Sequence, residues 1–202
     1  MIKQYYTIAS YAEDTLAFLL EDKVKNNIVI SQCLRTTDRD KILDDILMLN
    51  VFDGNKIVIT AFRNLKKMLV VGKHYQTSHL NELANYLREK EIWIEGVVGE
   101  CNLTKDFSEL FAKKYRIHTH LVAHELIELN EINLSKGRFE LAEIEELDTL
   151  ADWFIAFQNE CDLDYKINLE KAKEMLRQYI NLDRIYKWVV ENEIVSICAE
   201  NA

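Results

Sequence analysis

The stretch that decides the fold is Val189-Val190-Glu191-Asn192-Glu193-Ile194-Val195-Ser196-Ile197-Cys198-Ala199. Two β-branched, apolar-rich runs meet across Glu191-Asn192, so the segment reads as a hairpin of strands 185–190 and 193–199. Upstream of it, a helix is expected over about 169–180, then a loop from Asn159 to Asp164. Before the loop, a helix carries Leu147, Leu150, Ala151, Phe154 and Phe157 on one face, and Arg138–Leu141 forms a short strand. From Asn133 the order is therefore β-α-α-β-β.

The first part of the chain opens with the same order. A strand is expected over about 3–8 and a helix over about 11–25, with Ser10 and Glu13 at capping-box spacing. A second helix is expected over about 38–49, with Ile42, Ile46 and Leu49 on one face. Val51-Phe52, the turn Asp53-Gly54-Asn55 and Lys56–Phe62 then read as a hairpin, and Met68–Val71 as a further strand ended by Gly72. A helix over about 78–90, a strand over Ile92–Val98, a helix over about 104–115 and a long strand from Ile117 to Leu129 complete the half. The interval from first helix to first hairpin strand is similar in both halves (Tyr11 to Val51, Glu143 to Ile185), which points to a structural duplication. The expected class is α/β (α+β), with residues 1–132 as one whole domain and 133–202 as the front part of a second.

With that order and the 189–199 hairpin, the chain resembles the GNAT (GCN5-related) N-acetyltransferases. These begin with a strand, two helices and an antiparallel meander, and the hairpin of their second and third strands carries a similar pattern. The resemblance implies a GNAT-like, largely antiparallel mixed sheet flanked by helices, followed by a partial second copy. It further implies transfer of acetyl from acetyl-CoA to an amine by direct attack. In the family, a glycine-bearing loop after the fourth strand turns backbone N–H groups toward the cosubstrate pyrophosphate at a helix start. The corresponding stretch of the first half is Gly72-Lys73-His74-Tyr75-Gln76-Thr77-Ser78-His79, with no glycine inside the loop. Lys73, Thr77 and Ser78 are the candidate anion contacts, against ordinary helix capping by Thr77 or Ser78.

The second half ends where the third strand of the pattern finishes, so it reads as a truncated copy with an incomplete cosubstrate site, and no catalytic residue is assigned. What it keeps is the acceptor side. Trp153 and Phe157, with Asp162, Asp164 and Tyr165 in the following loop, form an aromatic wall with carboxylates that suits a small-molecule or peptide amine. The competing account makes the aromatics core and the acids solvated. A second function class is a non-catalytic GNAT-like module. The open edge of its last strand would pair with another chain, a homodimer included.

Composition narrows the field. Thirty-four Asp+Glu against 25 Lys+Arg give −9 over 202 residues. The imbalance is concentrated from Asn133 onward, where 15 acidic and 8 basic residues give −7. Such a surface repels phosphate backbones, so nucleic acid is not expected as a partner. No apolar run reaches a membrane span of about 18 residues, and the start lacks the features of a signal peptide. Four separated cysteines suit reduced thiols, and a cytoplasmic protein is expected. His118, His120 and His124 share a face if 117–129 is a strand, which reads as a polar strand face; a metal site is not expected.

Overall fold

The computed structural model describes residues 1–34, 46–64, 67–131, 135–161 and 166–200. The chain divides into two compact units, Met1–Glu128 and Leu129–Ala202.

Unit 1 is a five-stranded sheet in the order β1 (Ile2–Tyr5), β2 (Ile46–Asp53), β3 (Lys56–Asn64), β4 (Lys67–Gly72), β5 (Gly96–Gly99). The first three junctions are antiparallel, and β5 lies parallel to β4, reached through helix α3 (Thr77–Glu89). Helices α1 (Ile8–Leu20) and α2 (Asn27–Leu34) cover one face, where Tyr11, Ala12, Leu19, Val29, Ile30 and Cys33 pack on Tyr5, Met48 and Phe62. Helices α3 and α4 (Cys101–Phe111) cover the other, with Leu80, Leu83, Ala84, Leu87, Leu103 and Phe107 on Leu49, Val51, Ile59, Ala61, Met68 and Val70. A sheet covered on both faces has no polar side to alternate with, hence the unbroken run Leu47-Met48-Leu49-Asn50-Val51, all buried.

That run corrects one expectation. Ile46 and Leu49 lie in strand β2 and not in a helix, because an apolar run of this length satisfies both periods until flanking packing decides. The second helix is α2, earlier in the chain; the rest of the expected helix, residues 38–45, lies outside the described residues. The start of α1 is also earlier: Thr7 is the N-cap, its Oγ1 accepting from the Ser10 N–H at 3.2 Å. The expected strand Ile92–Val98 is reduced to Gly96–Gly99, and the helix over 104–115 ends at Phe111, leaving Tyr115 outside it. Residues 117–129, expected as a strand, have no strand assignment and are exposed, so the three histidines share no strand face.

Unit 2 is a three-stranded antiparallel sheet, β6 (Arg138–Leu141), β7 (Ile185–Val190), β8 (Glu193–Ala199), with α5 (Leu147–Glu160) and α6 (Leu169–Asn181). A 3-10 turn, Ile144–Glu146, precedes α5. Its core joins Leu147, Leu150, Ala151, Leu176, Ile180 and Ile185. The strands at 138–141, 185–190 and 193–199 coincide with those expected.

The two sheets share one register. Ile2 faces Val51 and Val51 faces Ile59; Phe139 faces Trp188 and Trp188 faces Ser196. Each pair is displaced along the chain by 137 positions (188 − 51, 139 − 2, 196 − 59). Both hairpins turn on two residues. In both, the register then slips after the second pair, leaving Val58 and Val195 as the bulged residues at the same place (Phe52 opposite Ile57, Val189 opposite Ile194). The helices between the strands differ in length and limits, yet the total spacing is the same.

Candidate functional site

In unit 1, the end of β4 and the start of α3 occupy the place where the family resemblance puts an anion site. Lys73 follows Gly72, and its N–H donates to the Val58 carbonyl at 2.9 Å. Its ammonium donates to the Glu21 carboxylate just beyond α1, and that hydrogen bond holds the Glu21 carboxyl below its ordinary range. His74 takes a positive φ of 55°, which swings the chain toward α3.

The α3 N-terminus is capped by neither Thr77 nor Ser78. Gln76 is the N-cap: its carbonyl accepts from the backbone N–H of His79 at 3.0 Å, while its own N–H donates to His79 Nδ1 at 3.0 Å. The donors that would face a phosphate are thus partly engaged within the chain. A Cβ on Gly72 would meet Tyr75 Cδ1 at 2.9 Å and Leu103 Cδ2 at 3.1 Å, so Tyr75 and Leu103 fill the space beside the loop. Strands β4 and β5 stay paired up to Val70 and Gly99, where a Cβ on Gly99 would stand 2.3 Å from the Val70 carbonyl oxygen. No cleft opens between them at that point. These residues do not fit the pyrophosphate and arm of acetyl-CoA.

Beside Lys73 lies an open concavity of about 820 Å³, lined by Lys3, Asp14, Phe18, Glu21, Phe52, Lys56 and His74 among others. Its charges are largely cross-neutralised. Lys3 Nζ donates to Asp14 at 2.6 Å and the Tyr5 hydroxyl to the same carboxylate at 2.7 Å. Those two hydrogen bonds lower the Asp14 carboxyl, and burial raises the Tyr5 phenol. The network continues inward: buried Asn50 donates through Nδ2 to the Tyr5 oxygen at 3.0 Å and to Thr15 Oγ1 at 2.7 Å. Comparison with family models, with curated proteins and with solved structures found no match.

In unit 2, Trp153 and Phe157 stand one turn apart on α5, half-exposed and exposed, while Leu147, Leu150 and Ala151 of the same helix are buried. They are not core. Asp162, Asp164 and Tyr165 lie outside the described residues, so the wall is represented by its two helix aromatics. Gln158, buried on the inner side of α5, accepts from the Ile167 N–H at 3.1 Å and so ties down the far end of that loop.

A buried ion pair in unit 2 carries no motif. Lys187 points inward from the middle of β7 and donates to Glu146 at 2.6 Å, with Glu140 at 3.8 Å. The Glu146 hydrogen bond raises the Lys187 ammonium above its ordinary value. It stands in the register position of Asn50 in unit 1, and a charge at an inward position of Ile185-Tyr186-Lys187-Trp188-Val189 is the one sequence signal for it. In unit 1, Glu100 caps α4 by accepting from the Leu103 N–H at 3.0 Å. Among the described residues no three of the His, Cys, Asp and Glu side chains gather as a metal site, and no helix is long and apolar enough to cross a membrane.

Proposed function

We propose that the chain is a GNAT-like module, with the architecture of the acyl-CoA-dependent N-acetyltransferases in two versions, that acts by contact with other chains and not by turning over a thioester. The observation that carries this reading is the state of the β4–α3 junction. The α3 N-terminus is capped by Gln76 and His79, Lys73 is paired with Glu21, and β4 closes on β5, so these described residues are engaged with one another and not aimed at a thioester. Two further observations support the architecture. The sheets share a register with the bulge in the same place, and unrelated β-α-α-β-β units have no reason to do so. In unit 1 an antiparallel meander is followed by a parallel β4/β5 pair, with two helices on each face.

The test is a thermal melt of the full chain with acetyl-CoA at about 1 mM, together with an assay for release of the CoA thiol in the presence of primary amines. The reading expects an unchanged melting temperature and no thiol release. A rise in melting temperature accompanied by amine-dependent thiol release overturns it.

That outcome belongs to a second reading, acetyl transfer from acetyl-CoA to an amine, which one observation favours. Trp153 and Phe157 are exposed on α5, as an acceptor wall would need them to be.

A further inference from the structure

Between Phe139 and Tyr165 the sequence holds nine Asp and Glu and no Lys, Arg or His. Helix α5 runs through this stretch. Its positions Thr149, Asp152, Trp153, Ala156, Phe157 and Glu160 are all exposed. At about 100° per residue they fall on one continuous face about 140° wide and about three turns long. That face is not uniformly polar. Trp153 is 36% exposed and Phe157 55%, and the small residues Thr149 and Ala156 adjoin them. Large side chains beside small ones make the ridges and grooves into which a second helix packs. Asp152 flanks the aromatic pair and Glu160 closes the end of the face. Other acids of unit 2 are answered within the chain, Asp148 by Lys173 at 2.8 Å and Glu146 by Lys187 at 2.6 Å. Asp152 and Glu160 make no ion pair with any described residue.

We propose that this face of α5 docks a basic amphipathic helix of another protein, with its apolar stripe on Trp153 and Phe157 and its Lys or Arg side chains on Asp152 and Glu160. The inference rests on the contact reading above and names the partner's chemistry. Charge selects the occupant. A second copy presenting the same face would bring only carboxylates to meet Asp152 and Glu160, in a chain of net charge −9. An acidic partner repels them in the same way. A purely apolar one covers both carboxylates without a counterion, at a cost in desolvation. A basic helix answers both. Its rim pairs set on-rate and specificity, while the two aromatic anchors, one turn apart, carry most of the affinity.

Fluorescence anisotropy of a labelled Leu/Lys peptide, patterned as an amphipathic helix and titrated with the full chain at about 0.15 M salt, tests this. The expected result is saturable binding that Trp153→Ser combined with Phe157→Ser weakens by about tenfold or more. Asp152→Asn combined with Glu160→Gln also weakens it and flattens its dependence on salt. All four positions are exposed, so folding tolerates the changes, and thermal melts of both variants check this. Trp93→Ser, at a 73% exposed position of unit 1, leaves binding unchanged. A Leu/Glu peptide of the same pattern and a Lys-only peptide bind about tenfold more weakly or less. No saturable binding of the Leu/Lys peptide overturns the proposal. Binding that survives loss of the aromatics or of the acids overturns it too, as does equal binding of either control peptide. Amine-dependent thiol release from acetyl-CoA would overturn the contact reading, whereas absent peptide binding without thiol release removes this surface alone.

Discussion

Tyr11 and Thr60 show how finely the inner face of unit 1 is satisfied. The Thr60 hydroxyl donates to the Leu49 carbonyl at 3.2 Å, which leaves its oxygen to accept from the Tyr11 hydroxyl at 2.6 Å, with both residues buried. Burial drives the Tyr11 phenol upward, so it stays a donor. Removing one end is not equivalent to removing the other. Tyr11→Phe deletes a hydrogen bond yet leaves Thr60 bonded to Leu49, a loss of about 1 kcal/mol; Thr60→Val strands the buried phenol and costs about 2 kcal/mol or more. Urea melts of the two variants check the order, and equal losses would contradict it. Such residues are hard to read from sequence, because Thr60 and Asn50 sit within apolar runs where polar partners are a matter of tertiary contact. Lys187 is more legible: its inward position follows from alternation along β7, although its partner Glu146 does not.

At the scale of elements, the hairpin of β7 and β8 is readable to the residue and the α2 region is not, for a physical reason. The hairpin has a two-residue turn and period-two alternation, both local. Helix α2 is eight residues with Ile28, Val29 and Ile30 in its first half, a β-branched run of poor helix propensity that only packing onto Met48 and Phe62 holds helical. Residues 117–129 depart from expectation in the opposite sense: their composition suits a strand, but a strand needs a neighbour. The loop before α3 is half legible, with Gly72 at the strand end as expected and the cap supplied by Gln76 and His79. Gly137 is an element-level demand that composition hides. Its φ is +152°, and a Cβ there would fall 2.3 Å from Trp188 Nε1 and 2.9 Å from the Val189 oxygen. Gly54, at φ +58°, has open space around the same position. Gly54→Ala is thus expected to cost about 1 kcal/mol and Gly137→Ala clearly more, about 2–3 kcal/mol. The difference in urea midpoints decides this; a Gly137→Ala chain as stable as Gly54→Ala would mean that β6 does not enter the sheet beneath Trp188.

For the whole molecule, one strand register occurs twice, once in a sheet with helices on both faces and once in a sheet with helices, among the described residues, on a single face. The proposed duplication draws on element order, but its stronger support is register, which no composition or spacing rule contains. The candidate sites divide along the same line. Lys73, Thr77 and Ser78 lie at the β4–α3 junction, but the chemistry there is self-contained: Lys73 answers Glu21, and the helix start answers Gln76. Trp153 and Phe157 are exposed on α5, an outcome that helical spacing alone leaves open between core and surface. Interstrand backbone NOEs of the isotopically labelled chain test the shared register, and with it the repeated fold, most directly. The expected result is Val189 opposite Ile194 and Trp188 opposite Ser196 with Val195 bulged between them, matching Phe52 opposite Ile57 and Val51 opposite Ile59 with Val58 bulged. Trp188 directly opposite Val195, a regular hairpin without the slip, would contradict it.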